Sequence, residues 1–200
     1  MAAWEPAIWG CLVKEPHDGR LGRPKKRVKV YYASEDKVLK PKVKDLDQYE
    51  KESGFKLPDD YREFARTFGP GTFDGWQIST PGFPNAEHEV DLAKLNERLR
   101  RSYLPNFVRF CGKEDFHGWF AWNPEDITDP VKHHYGVYLL GGLRGEDPEA
   151  QPIKVASSFH EFFISYALGG GFELQQKGAR SKKSGDPVLP KTVAFSQVLS

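Results

Sequence analysis

Cysteine is nearly absent from this chain, with Cys11 and Cys111 the only two copies in 200 residues. Two distant cysteines form no disulfide framework, and with no C-x-x-C there is no thiolate zinc site. A single Cys11–Cys111 bridge stays open on the sequence, although a reducing compartment disfavours it. Long apolar runs are missing too, and no window approaches the ~18 residues that read as a membrane span. The first residues, MAAWEPAIWGCLVKEPHDGR, lack the basic head and apolar stretch of a secretory signal. The expectation is a soluble cytoplasmic protein. Neither GxxxxGK[ST] nor GxGxxG occurs. Gly141-Gly142-Leu143-Arg144-Gly145 follows a strand pattern, but the next segment is acidic and holds a proline, so it reads as a hairpin turn rather than a phosphate cradle.

Aromatic residues, by contrast, are plentiful: 14 Phe, 8 Tyr and 5 Trp. They supply the apolar area for a core despite a mean hydropathy of −0.62. The length fits one domain with arms. The net charge of +1 conceals a segregation: residues 1–44 carry +6, residues 45–168 carry −8 and residues 169–200 carry +3. An acidic body between basic ends bears on partners and not on fold.

Periodicity orders the chain. Val28, Val30 and Tyr32 alternate with Lys29 and Tyr31, as in a half-buried strand. A helix begins at Asp45, with Leu46, Tyr49 and Ser53 on one face and Gly54 at its end. The next helix has Pro58 in its first turn, Asp59 and Asp60 at the positive end of its dipole, and the stripe Tyr61, Phe64, Ala65, Phe68. Gly71–Asn85 reads as turn-rich, and Glu87–Arg101 as a helix on Leu92, Leu95 and Leu99. Short strands are expected at Phe107–Cys111, Gly118–Trp122, Gly136–Leu140 and Pro152–Ala156, with Asn123–His134 a polar excursion. Ser158 and Glu161 spell a capping box for a last helix striped by Phe159, Phe162, Phe163 and Tyr166. Val188–Val198 allows one edge strand. Helices, then strands on short turns, then a closing helix indicate an α+β domain: N-terminal helices on a mainly antiparallel sheet. The expected divisions are a basic extension over 1–42, the domain over 43–168 and a polar tail over 169–200.

The chemistry-bearing residues do not assemble into a catalytic set. His133 and His134 are adjacent, so their side chains diverge in either regular structure and read as a solvated loop rather than a metal pair. Cys111, Asp115 and His117 could be drawn as a triad, but a cysteine ending a core strand reads as a small buried apolar residue. Glu125-Asp126 and Glu146-Asp147 sit in turn-like contexts and read as surface carboxylates. No catalytic residue, metal or cofactor is therefore expected. Arg20–Lys29 packs six basic residues into ten. Arg23, Lys25, Lys26 and Arg27 are the candidates for contacting nucleic-acid phosphates, against a repulsive −8 body.

The segment GFKLPDDYREFARTFGPGTF at Gly54–Phe73 resembles the opening motif of the SUKH superfamily, the Smi/Knr-like proteins: a helix, a Gly, then L-P-x-D/E-Y-x-x-F and a Gly-rich turn. FHGWFAWNPED at Phe116–Asp126 is similar to the family's central strands, and PIKVASSFHEFF at Pro152–Phe163 to its last strand and closing helix. The resemblance spans roughly residues 43–168. It departs at Gly69-Pro70-Gly71, where Gly-Gly is usual. It implies one α+β fold, without catalytic residues, in proteins that act by binding partners: bacterial immunity proteins that neutralise toxins, often nucleases, and regulators of cell-wall synthesis. The expected function is therefore toxin neutralisation through an acidic, aromatic-containing surface. Its candidate residues are Asp59, Asp60, Glu63, Trp76, Trp119, Trp122, Glu125 and Asp126, with one of Trp119 and Trp122 in the core. A regulatory scaffold module is the alternative, and nucleic-acid binding by the basic arm comes third.

Overall fold

The computed structural model describes residues 12–14, 28–32, 40–86, 90–99, 104–113, 116–141, 151–172 and 192–196. Its central feature is an antiparallel meander of six strands: β3 (Gly71–Phe73), β4 (Trp76–Ile78), β5 (Val108–Lys113), β6 (Phe116–Asp129), β7 (His134–Leu140) and β8 (Ile153–Ala156). Three further strands extend it beyond β3: β9 (Thr192–Ser196) antiparallel to β3, then β2 (Val28–Tyr32) parallel to β9, then β1 (Leu12–Lys14) parallel to β2. The strand expected within Val188–Val198 is thus present, but it lies inside the sheet between β2 and β3 rather than at an edge.

Helices α1 (Val43–Ser53) and α2 (Asp59–Phe68) form as the sequence predicts. Gly54 closes α1 in the left-handed region at φ 72, donating its N–H to Glu50 O. The stripe of α2 is all core: Tyr61, Phe64 and Ala65 are fully buried and Phe68 nearly so. The turn-rich reading of Gly71–Asn85 is corrected in part, because β3 and β4 make a tight hairpin there. Its two central residues, Asp74 and Gly75, have φ 50 and 77, the backbone of the turn that Asp-Gly favours. Helix α3 (Leu92–Leu99) starts later than expected, since Val90 and Asp91 precede it outside the helix. The Asp91 carboxylate accepts the N–H groups of Ala93, Lys94 and Phe83.

The polar excursion is the largest correction. Strand β6 runs through Asn123 to Asp129, and its ladder with β7 shifts register between Trp122 and Ile127. An irregular ladder accommodates Pro124, which a regular internal strand would not.

The closing helix starts in α form as α4 (Phe159–Glu161) and widens into a π-helical segment (Phe162–Ala167), where Leu168 N–H donates to Phe163 O at 3.0 Å. Ser158 Oγ accepts from Glu161 N, while the Glu161 carboxylate reaches back one residue further than expected, to Ser157 N. Aromatic rings from helices and sheet interlock. Phe110 stacks on Trp122 at 4.1 Å, Tyr61 meets Trp122 edge-on at 4.8 Å, and Phe64 and Phe73 pack on Phe163. The result is one α+β domain, as the sequence led us to expect.

Candidate functional site

Carboxylates crowd the two-helix end of the sequence, and the fold assigns them sharply different roles. Glu50 is a lock between α1 and α2. Its oxygens accept from Lys56 Nζ at 2.8 Å, Arg62 Nη1 at 2.6 Å and Leu57 N at 3.1 Å. Burial pushes its carboxyl up, but these donors and the Arg62 charge outweigh that and hold it below the ordinary range. Arg62 also grips Asp47 at 2.7 Å. So Glu50 is engaged inside the protein, whereas Asp47 is paired with Arg62 at the surface and stays exposed.

Asp60 is internal as well, at 1 % exposure. One oxygen accepts His160 N at 2.8 Å, at the start of the closing helix, and the other accepts Tyr61 N. His134 Nε2 lies 3.7 Å away. Burial pushes the Asp60 carboxyl up, and the His160 N–H and the nearby His134 offset this only in part. Asp60 thus ties α2, α4 and β7 together. Its chain neighbour Asp59 faces solvent, and its N–H donates to Lys132 O at 3.1 Å in the β6–β7 turn. Glu63 is half-buried on the same helix.

The tryptophans divide in the same way. Trp76 is 1 % exposed and Trp122 fully buried. Trp76 is enclosed by Phe120, Phe162 and Phe172, with Lys113 Nζ over its ring, and Trp122 by Phe110, Tyr61 and Phe55. Neither they nor Asp60 present a surface, so these three candidates are corrected from surface anchors to core. The reason is the alternation of β6: Phe120 and Trp122 point into the helix-covered side, which puts Trp119 and Ala121 on the other. Trp119 is half-buried there, paired with Leu140.

Asp126 joins that second face. It accepts from Tyr138 OH at 2.8 Å and pairs with Lys154 at 2.5 Å. The Lys154 bond is the main cause of a carboxyl held below its ordinary range, and burial opposes it. Asp126 lies so close over β7 that a Cβ on Gly136 would fall 1.9 Å from its Oδ2. Glu125 is exposed. Of the eight expected site residues, the fold therefore leaves Asp59 and Glu125 in solvent and Glu63, Trp119 and Asp126 half-covered. Trp119 and Asp126 lie on the sheet face away from the core, whereas Asp59 stands where α2 meets the β6–β7 turn.

The remaining candidates are disposed of plainly. Cys111 is free and buried, and burial pushes its thiol well above the ordinary value, the opposite of an activated nucleophile. Asp115, the His117 side chain, Glu146, Asp147, Arg23, Lys25, Lys26 and Arg27 lie outside the described residues. Among the described residues no three His, Cys, Asp or Glu converge as metal ligands, and no helix is long and apolar enough to cross a membrane.

Sequence reasoning missed the β6–β7 turn. Val131 is exposed on it, and Ile127 on the strand end that leads into it. The signal was present in the sequence, as aliphatic residues inside an otherwise polar stretch.

No curated protein matches the chain significantly. The family model for the SMI1 / KNR4 family (SUKH-1) matches residues 40–165, from the entry of α1 into the closing helix, and so takes in the interlocked aromatic core and the β6–β7 turn. The chain belongs to the SMI1 / KNR4 family (SUKH-1).

Proposed function

We propose that this protein binds another protein without catalysing turnover, and that it is an immunity protein that neutralises a cognate toxin from within the cytoplasm. The observation that carries this reading is a pair of exposed aliphatic side chains, Ile127 at the end of β6 and Val131 in the β6–β7 turn, with solvent-facing carboxylates at Asp59, whose N–H is bonded to that turn, and at Glu125, two residues before Ile127. Family membership supports it. A toxin that acts on nucleic acid carries basic groups at its substrate site. A partner with apolar and negative surface competes there and is drawn in by the opposite charge.

Helix α1 and the first turn of α2 hold many acidic residues, but Glu50 and Asp60 are engaged within the fold and the exposed Asp47 is paired with Arg62. The proposed surface therefore uses few charges, set beside apolar contacts, rather than a broad acidic field. The basic arm does not enter it.

The test is co-expression with the polypeptide encoded beside this gene. Growth rescue, together with co-purification of a stoichiometric complex, is the expected result. A neighbour that is toxic yet neither bound nor neutralised overturns the reading. A neighbour that is bound but not toxic replaces it with the regulatory-module alternative.

A further inference from the structure

Among the described residues, the large apolar side chains left in solvent are Val43 at 46 %, Ile127 at 56 % and Val131 at 83 % exposure. Val131 belongs to the β6–β7 turn, and Ile127 to the end of β6 that leads into it. That turn is a built object rather than a slack loop. The Asp129 carboxylate accepts Val131 N at 3.0 Å and Lys132 N at 3.2 Å, and His133 takes up a left-handed φ of 51. On one flank Asp59 N–H holds Lys132 O, and His134 lies beside Asp60. On the other, Thr128 Oγ1 donates to Ser157 O at 2.5 Å, in the connection from β8 to the closing helix. The turn is thus fastened to two separate parts of the domain while the side chains of Ile127 and Val131 stay in water.

We infer that this turn is the anchor of the partner interface: Ile127 and Val131 seat in an apolar pocket of a protein partner whose rim is rich in Lys and Arg. The charge around the turn selects that occupant. Asp59 borders the turn through its N–H bond to Lys132 O, Asp129 closes it and Glu125 lies two residues before Ile127, against the exposed cation Lys132, while Lys56 and Lys154 are matched by Glu50 and Asp126. Such a rim repels nucleic-acid phosphates and anionic lipid and attracts a basic protein surface. The fastening supplies the second requirement. A turn already held in one shape loses little conformational freedom on docking, so the two aliphatic groups act as a preorganised centre with charges at the edge. This inference rests on the partner-binding reading above and adds where the contact is centred and what it fits.

The experiment uses the full-length chain and, as probe, the polypeptide encoded beside its gene, with affinity, rates and salt dependence measured for each variant. Val131→Asp should weaken binding about tenfold or more, chiefly by faster dissociation, while V131L retains it. D59N with E125Q should slow association and flatten its salt dependence, with little change in dissociation. V43D serves as the control for an exposed apolar residue elsewhere and should bind as the parent does. An unchanged denaturation midpoint for V131D shows that the fold is intact. Parent-like binding by V131D overturns this inference and leaves the functional reading standing. If the parent chain itself does not bind the neighbour, both fall. If V131D instead converts a parent dimer into a monomer, the occupant is a second copy and the basic-partner assignment is overturned.

Discussion

Residues 116–122 and 123–129 belong to one strand, β6, yet they meet different surroundings. The first half is paired with β5 from Phe116 to Trp122 and, from Trp119 on, with β7 as well. Its inward side chains, Phe120 and Trp122, are fully buried. The second half pairs with β7 alone, after a register shift, and exposes Glu125 and Ile127. One continuous backbone thus carries core on one end and available surface on the other. In the first half the ladder and packing hold the inward rings in place. In the second, Asp126 and Thr128 are tied to Tyr138, Lys154 and Ser157 while Glu125 and Ile127 face solvent. One strand in this way joins a packed core to an exposed edge without loosening the core.

Substitutions can break this contrast, in descending order of expected effect. Trp122→Ala empties the ring stack with Phe110 and Tyr61 and should cost about 3–5 kcal/mol in denaturant unfolding. A loss under ~1 kcal/mol would mean that the first half is not the core. Glu50→Gln, on the helix side of that core, should cost about 1.5–3 kcal/mol, because it removes the charge that Arg62 and Lys56 surround. Asp126→Asn, in the second half, should cost less, about 0.5–1.5 kcal/mol, by weakening the bonds from Lys154 and Tyr138. Ile127→Ser should change stability by less than about 0.5 kcal/mol, since the side chain is exposed.

The two middle substitutions also have a pH signature. Glu50 and Asp126 titrate below their ordinary values in the fold. The unfolded chain therefore binds more protons there, and the stability these groups supply is present above the ordinary carboxylate range. It is lost as pH falls through their lowered values. Asp60 works in the opposite sense. Its carboxyl is raised in the fold, so its contribution is full in acid and is lost as pH rises through the raised value. Unfolding midpoints measured from neutral pH into acid should fall for the parent chain and fall less steeply for E50Q and D126N. A parallel fall in all three would remove these two groups as the cause.

The fold was largely legible where a period or a stop signal was strong. The stripe of Tyr61, Phe64, Ala65 and Phe68 and the left-handed Gly54 needed no tertiary information. The Asp74-Gly75 turn carried its signal openly, but strands of three residues leave too short a period to register. The outer half of β6 was hidden because its polar composition, Asn-Pro-Glu-Asp, mimics a loop, and only pairing with β7 makes it a strand. Site residues were less legible. Alternation along β6 separated Trp119 from Trp122, yet nothing local distinguishes Asp59 from Asp60, whose fates depend on His160, a hundred positions on in the sequence. Trp76 likewise looked available until Phe120, Phe162 and Phe172 closed over it.

The widened end of the closing helix carries a consequence for how this chain tolerates changes in length. A coil closed from one residue to the fifth beyond it, as Phe163 is to Leu168, holds one residue more than an ordinary turn. Excising half-buried Ser165 would let the ladder re-form with tighter winding while leaving the upstream rings Phe159, Phe162 and Phe163 in place. Elsewhere in the core a single-residue deletion rotates or flips everything downstream. Among the described helices, this segment is a point at which the domain has slack to absorb one.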